Sequence, residues 1–186
     1  MKIDPKKIKL KNGKNFIIRS ASAEDAENIL QHLQTTHAES YKNLNQSADF
    51  WKKALPSEQA QKLATLEASP SNCMLVALFE DRIIGGIGFW GNQAEFVKHS
   101  GNIGMSIQSE FSGYGLGSEM LNLLFQVVKE HGFRRIELTV RVYNAAGIRL
   151  YEKVGFERVG LLKDAAFIDG QYVDEYSYQK ILIHSV

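Results

Sequence analysis

The chain carries a glycine at every second position between Ser112 and Ser118, and this turn runs directly into an amphipathic helical pattern. Because glycine has no Cβ, such a turn can expose successive backbone N–H groups, and the start of a helix adds unpaired donors and a positive dipole. These groups together suit a diphosphate. A glycine-rich turn before a helix is also an ordinary boundary between two elements. The turn therefore predicts a phosphate site only where the rest of the chain agrees.

Two common nucleotide-binding motifs do not fit the spacing of this turn. The dinucleotide fingerprint needs a third glycine where this chain has Ser118, and a P-loop needs a lysine after its last glycine, where the chain also has Ser118. The preceding strand pattern, residues 100–108, opens on small and polar residues, unlike the nearly all-apolar first strand of a doubly wound sheet. A nucleotide is therefore compatible with the turn, but not in those folds.

Composition bounds the class of protein. With 186 residues, 44% of them apolar, the chain can bury one substantial core and is predicted to form one domain. The 22 basic and 21 acidic residues nearly cancel, which argues against a broad nucleic-acid surface. The longest apolar run, residues 73–79, is too short to span a bilayer. We expect no membrane partner and a cytoplasmic location.

Two local features complete this survey of the chain. Residues 1–14 are lysine-rich and lack the apolar core of a signal peptide, so we expect a solvated basic tail, with at most one turn of strand, before a domain over residues 15–186. The single cysteine, Cys73, cannot form an internal disulfide. Its place in an apolar run favours a buried, inert thiol over a nucleophile.

Hydrophobic periodicity indicates mixed α and β structure with a largely antiparallel sheet. Residues 35–56 are weakly patterned and predict short helical pieces over a cleft. The remaining predicted elements are strands at 16–19, 73–79, 82–90, 102–108, 135–142, 156–162 and 172–181, and helices at 25–34, 57–68, after the glycine turn, and after Asn144.

A second motif follows the glycine turn by about thirty residues: residues 144–156 read Asn-Ala-Ala-Gly-Ile-Arg-Leu-Tyr-Glu-Lys-Val-Gly-Phe. With this pair of motifs the chain resembles the GNAT superfamily of acetyl-CoA-dependent N-acetyltransferases, whose motifs are Gln/Arg-x-x-Gly-x-Gly/Ala and Asn-x-x-Ala-x-x-Leu-Tyr-x-x-x-Gly-Phe. Two positions depart: Ser112 replaces Gln/Arg, and Gly147 replaces the usual alanine. The resemblance covers residues 16–181, and residues 167–174 are most similar to the branch of ribosomal-protein N-terminal and polyamine acetyltransferases.

The resemblance implies a fold and a cofactor site. The expected fold is a single α/β (α+β) domain with a six- to seven-stranded, mostly antiparallel sheet, helices on both faces, and a bulged strand at 103–108 that splays from its neighbour. The pantetheine arm of acetyl-CoA would lie in that opening and the pyrophosphate on the glycine turn. No metal is implied. The implied cofactor-binding residues are Met105, Ile107, Ser112, Gly113, Tyr114, Gly115, Leu116, Gly117, Ser118 and Asn144.

The resemblance also implies catalytic chemistry. Tyr151 is placed as the proton donor to the departing thiolate, although a tyrosine on the apolar face of a short helix is also an ordinary core residue. No general base is evident, and deprotonation of the amine through a water chain is expected. Acceptor-side candidates are Glu95, His99, Glu137 and Asp174, with Asp169 as a further acid, although a charged residue of this kind taken alone is more often a solvated surface group. A second wall is predicted from four aromatic residues, His37, Tyr41, Phe50 and Trp51, by cation–π attraction or by plain helix packing.

The expected function is transfer of the acetyl group of acetyl-CoA to a primary amine, on a small molecule or a protein N-terminus, by direct attack in a ternary complex. The alternative is a catalytically silent acyl-CoA-binding or sensing module, and a purely structural α/β domain is a third reading. Tyr151 favours the enzyme. The apolar closing strands could pair across a homodimer or lie under the chain's own N-terminus.

Ser112 generates a prediction about cofactor affinity. It lacks the long polar or cationic arm usual at this position, so we expect weaker acetyl-CoA binding than a Gln or Arg would give. Restoring that arm in Ser112→Arg should tighten the acetyl-CoA Kd by about tenfold, the value of one charge-assisted hydrogen bond, as measured by titration calorimetry. Affinity unchanged in Ser112→Ala and not improved in Ser112→Arg would contradict this.

Overall fold

The computed structural model describes residues 1–11 and 13–182. Within them, eight strands form one mixed sheet in the order β1-β2-β3-β4-β5-β6-β8-β7, with five α-helices beside it. The strands are β1 (Lys6–Lys9), β2 (Asn15–Ser20), β3 (Asn72–Phe79), β4 (Arg82–Gly91), β5 (Ser100–Ile107), β6 (Arg135–Arg141), β7 (Glu157–Ile168) and β8 (Gln171–Ile181). The helices are α1 (Ala26–Ser40), α2 (Ala48–Lys52), α3 (Pro56–Ala68), α4 (Leu116–Glu130) and α5 (Ala145–Lys153).

The N-terminal residues correct one prediction. They were expected to form a solvated tail, but β1 pairs antiparallel with β2, and Met1 and Leu10 are buried in the core. The N-terminal amine donates to the carbonyl of Ser69 at 3.1 Å. Ile8 and Leu10 are two residues apart among the lysines, so they share one strand face that packs inward. This added strand accounts for eight strands in place of six or seven.

Helices cover both faces of the sheet, as predicted. Strand β3 shows why, because its side chains alternate between two cores. Leu75 and Ala77 belong to the larger core with α4, whereas Val76 packs with Ile29 and Leu63 from α1 and α3. None of the helices in residues 1–11 and 13–182 has the length and hydropathy that crossing a membrane requires.

The predicted hairpin and the expected state of the thiol are both confirmed. Glu80 and Asp81 form the two-residue turn between β3 and β4 with φ of 49° and 63°, the conformation that tight hairpin turns require. Cys73 is buried, and desolvation raises the pKa of its thiol to about 11. The thiol therefore stays protonated and unreactive near neutral pH.

The sheet opens between β5 and β6. These parallel strands pair only over their first three residues, Ser100–Asn102 against 135–137, in the part of the chain that the structure describes. Beyond that point β5 still pairs with β4 as far as Ile107, and β6 still pairs with β8 as far as Arg141. Each strand is thus held on its outer side only, and a wedge-shaped opening lies between them.

The expected bulge in β5 was wrong. The register between β4 and β5 runs without a shift from Gly91 opposite Gly101 to Gly85 opposite Ile107. The register shifts instead occur between β3 and β4 and between β7 and β8. The wedge therefore opens because the β4–β5 pair and the β6–β8 pair diverge from each other. No extra residue in β5 is involved.

A buried ion pair joins β6 and β8 at the open end of the wedge and generates a stability prediction. Arg141 and Glu175 face each other in the register, and both are buried. Glu175→Ala leaves the guanidinium buried without its carboxylate and should lower the free energy of unfolding by about 3–5 kcal/mol, as measured in urea. Glu157→Ala, on the exposed strand β7, is the matched control. Equal effects of the two substitutions would contradict the prediction.

Candidate active site

The opening between β5 and β6 forms a cleft of about 550 Å³, here called the wedge cleft. Its walls come from the second half of β5, the glycine turn, the start of α4 and the helix α5. Nine of the residues predicted for cofactor binding or catalysis line it: Met105, Ile107, Ser112, Gly113, Gly115, Gly117, Ser118, Asn144 and Tyr151. The structure thus brings both sequence motifs to one cleft.

The glycines of the turn are required for two different reasons. Gly113 and Gly115 have φ of 84° and 99°, in the left-handed region that glycine adopts without strain. Gly117 has an ordinary φ, but a Cβ on it would lie 2.8 Å from Leu150 Cδ2 and 3.3 Å from Ile107 Cδ1. The first two glycines therefore shape the turn, and the third allows α4 to pack closely on α5 and β5.

The start of α4 is built for an anion. Its N-cap is Gly115, which has no side chain to cap the backbone donors of the first turn, so these N–H groups can face a ligand. Arg149 and Lys153 of α5 also line the wedge cleft. They stand four residues apart, so they share a helix face. These two residues were not among those predicted from the sequence, although their spacing could have indicated them. A pyrophosphate fits this combination of bare donors and two cations.

Tyr151 lines the same cleft from α5. Its ring packs edge-on against Phe156 with centroids 5.8 Å apart, and no hydrogen bond from a described residue contributes to the pKa of its hydroxyl. Burial raises the pKa of the phenol to about 12. Tyr151 therefore carries its proton at neutral pH and can donate it into the cleft.

Asn144 is confirmed as the cap of α5. Its Oδ1 accepts a hydrogen bond from the N–H of Gly147 at 3.0 Å. A Cβ at Gly147 would lie 2.8 Å from Asn144 Nδ2, so glycine at this position leaves room for the capping side chain. The departure from the usual alanine is compatible with the cap.

A second cavity of about 640 Å³, here called the apolar cavity, lies beside the wedge cleft under α1, α2 and α3. Leu44, Met105 and Ser106 line both spaces. The two cavities therefore meet near the C-terminal end of β5. A molecule in the apolar cavity can reach a group held in the wedge cleft at this junction.

Two histidines of α1 stand in the wall of the apolar cavity. His32 is buried, and its Nε2 hydrogen-bonds the Ser106 hydroxyl at 2.9 Å. Desolvation, with a smaller contribution from nearby His37, lowers the His32 pKa to about 4. Burial also lowers the pKa of His37, whose Nε2 accepts from Trp51 Nε1 at 2.9 Å. Both rings are therefore neutral near pH 7.

The structure does not bring the predicted acceptor-side acids to either cavity. Glu95 and His99 lie in the exposed connection before β5, at the closed end of the wedge. Glu137 pairs with Arg135 Nη2 at 3.0 Å, and Asp174 Oδ1 accepts the backbone N–H of Asp164 in the β7–β8 hairpin. None of the four lines either cavity, so the structure does not bring them together with the residues of the glycine turn.

Some of the remaining predicted residues line a cavity and others do not. His37 and Trp51 line the apolar cavity, as expected for one wall, whereas the exposed residues Tyr41 and Phe50 do not. The Tyr41 hydroxyl instead donates to Asp169 at 2.8 Å. Two residues of the glycine turn do not line the wedge cleft with their side chains: Tyr114 is exposed, and Leu116 is buried in the core.

The sequence profile of the Acetyltransferase (GNAT) family matches residues 30–156. The chain belongs to this family, and it is an acetyl-CoA-dependent acyltransferase. It is 26% identical over 162 residues to the L-amino acid N-acetyltransferase AaaT of Escherichia coli K12, covering 84% of this chain and 99% of that protein. The ribosomal-protein-serine acetyltransferase of the same organism is 30% identical over 59% of this chain and 60% of its own length.

Solved structures agree with the fold. A GNAT-family acetyltransferase from Streptococcus pneumoniae superposes with a TM-score of 0.85 and 26% identity, covering 90% of this chain and 99% of that one. The putative acetyltransferase yncA of Salmonella typhimurium, solved with its cofactor acetyl-CoA, has a TM-score of 0.78 and 17% identity, covering 91% and 95%. Among the described residues there is no group of three or more His, Cys, Asp or Glu placed to hold a metal ion.

Burial of neutral His32 generates a pH prediction. The unfolded chain takes up this proton near pH 6.5 and the folded chain only near pH 4, so the unfolded state binds more protons between these values. The free energy of unfolding should therefore fall by up to about 3 kcal/mol as the pH drops through this window.

The measurement is urea unfolding at several pH values between 7 and 4. In His32→Asn the loss of stability across the window should shrink, leaving the smaller contribution of His37. His99→Asn removes an exposed histidine and should keep the full pH dependence of the parent chain. A pH profile in His32→Asn equal to that of the parent would show that His32 is not its source.

Proposed function

We propose that this protein transfers the acetyl group of acetyl-CoA to a primary amine by direct attack within a ternary complex. The observation that carries the proposal is the junction of the two cavities at Met105 and Ser106. A cleft suited to the cofactor and a separate cavity of ligand size meet there, so both reactants can be held together. Holding two reactants in line supplies a large part of the acceleration of such reactions.

The wedge cleft supplies the groups that the cofactor needs. The free N–H groups at the start of α4, with Arg149 and Lys153, would hold the pyrophosphate. The exposed side of β5 at Met105 and Ile107 would offer main-chain partners to the pantetheine arm. The bound cofactor supplies a thioester, whose acyl carbon is open to attack by a neutral amine.

Tyr151 is the proposed proton donor to the departing thiolate. Its pKa of about 12 keeps it protonated at neutral pH, and its hydroxyl is free to face the cleft. The acceptor amine must first lose a proton, but no carboxylate lines either cavity among the described residues. His32 is a poor base because its pKa is about 4. We therefore infer that this proton leaves through water in the open cleft.

The substrate class draws on two relatives named for their acceptors. One is an L-amino acid N-acetyltransferase and the other a ribosomal-protein-serine acetyltransferase. The first name describes N-acetylation of an amino acid, and the second describes acetylation of serine in a ribosomal protein. For this chain we accordingly propose an amine acceptor, on a small molecule or on a protein N-terminus.

Tyr151→Phe tests the proposal. Removing the proton donor should lower kcat by about 100-fold or more, while the acetyl-CoA Kd changes by no more than about twofold, because the ring and its packing on Phe156 are retained. Thiol release followed across a panel of amines measures the first quantity, and calorimetry measures the second. Tyr172→Phe, at the exposed tip of the β7–β8 hairpin, is the matched control.

The same assay separates the enzyme from a silent acyl-CoA-binding module. The module would be stabilised thermally by acetyl-CoA but would release no thiol with any amine. A purely structural domain would show neither response. If the kcat of Tyr151→Phe equalled that of the parent chain, the protein would still be an acetyltransferase, but Tyr151 would not be its proton donor.

A further inference from the structure

The apolar cavity has a floor made of glycine. Gly86, Gly88 and Gly104 line it, and they stand on one face of β4 and β5, where Gly88 is opposite Gly104 and Gly86 is opposite Ser106. Side chains at these positions would fill the space between the sheet and α1. Their absence creates a cavity of about 640 Å³, within the size range of ligand sites.

Close backbone packing does not explain two of these glycines. A Cβ at Gly104 would come no nearer than 3.6 Å to the Trp90 ring, and a Cβ at Gly86 no nearer than 3.4 Å to Met74. Both distances are ordinary van der Waals contacts, so alanine would fit at either position. Glycine at 86 and 104 therefore provides volume in the cavity.

The walls of the cavity are apolar and nearly uncharged. Leu33, Leu66, Met74, Trp51 and Trp90 surround the glycine floor. Among the described residues that line it, none is acidic, and Lys62 is the one charged side chain, because both histidines are neutral near pH 7. A second ammonium group placed here would lose water without gaining a carboxylate partner.

We propose that the acceptor is a primary amine that carries one large apolar group, aromatic or branched aliphatic, and no second cation. The amine lies at the junction by Ser106, and the apolar group lies over the glycine floor against the two tryptophans. This inference rests on the proposed function and narrows its substrate class. A free hydrophobic amino acid derivative and a peptide with a hydrophobic first residue share this chemistry.

Thiol release measured on the full chain tests the proposal. The acceptors are phenylalanine amide, the tripeptide Phe-Gly-Gly, glycine amide and spermidine. Burial of the benzyl group should raise kcat/KM for phenylalanine amide over glycine amide by about thirtyfold, and spermidine should be no better than glycine amide. Comparison of phenylalanine amide with the tripeptide distinguishes the small-molecule source from the peptide source.

Gly104→Val tests the cavity itself. The valine side chain would occupy the floor, so kcat/KM for phenylalanine amide should fall at least about five times more than kcat/KM for glycine amide. Gly86→Ala, a smaller change on the same floor, gives a second test should the valine variant unfold at assay temperature. Gly160→Val lies in β7, where an added Cβ would come no nearer than 3.9 Å to Ser177 Cβ; it is the matched control and should alter neither value.

Three results would overturn the inference while leaving the acetyltransferase intact. These are turnover of spermidine above phenylalanine amide, equal turnover of phenylalanine amide and glycine amide, and an equal loss for both amides in Gly104→Val and Gly86→Ala. If none of these acceptors, and none in a wider panel of primary amines, led to thiol release, the proposed function would be overturned together with this inference.

Discussion

The parting of β5 and β6 is the constraint on which the site depends. Strands inside a sheet normally satisfy each other's backbone groups, and unpaired buried groups are costly. Here the pairing lasts three residues, and the strands then expose their inner edges to a cleft. The cost is tolerable because each strand keeps a full ladder on its outer side. The exposed edges give an extended, amide-bearing ligand a place to pair, as a peptide strand would.

The direction of β5 and β6 decides which residues reach this opening. The two strands are parallel and are joined at their first residues, so the wedge opens toward their C-terminal ends. Segments that follow the strands, the glycine turn after β5 and Asn144 after β6, therefore lie at the mouth. Segments that precede them lie at the closed end. Glu95 and His99 precede β5 in the sequence, so they lie at that end and line neither cavity.

The predictability of each part of the site follows from the same geometry. The residues proposed to bind the cofactor are contiguous runs of sequence with strong local requirements, such as the left-handed Gly113 and Gly115, so a single sequence suffices to single them out. The apolar cavity combines α1, α2, α3, β3, β4 and β5. Its glycines look like weak strand positions in the sequence, and only the register places Gly88 opposite Gly104. The first strand was missed because its four residues carry three lysines.

The two cavities differ in the charge of the side chains that line them. Arg149 and Lys153 place positive charge in the wedge cleft, where a diphosphate would neutralise it. The apolar cavity instead keeps its histidines neutral by burial. If His32 carried charge, it would repel an ammonium group at Ser106, the point where we propose that the acceptor binds. Desolvation of that ring keeps the junction free of this positive charge near pH 7.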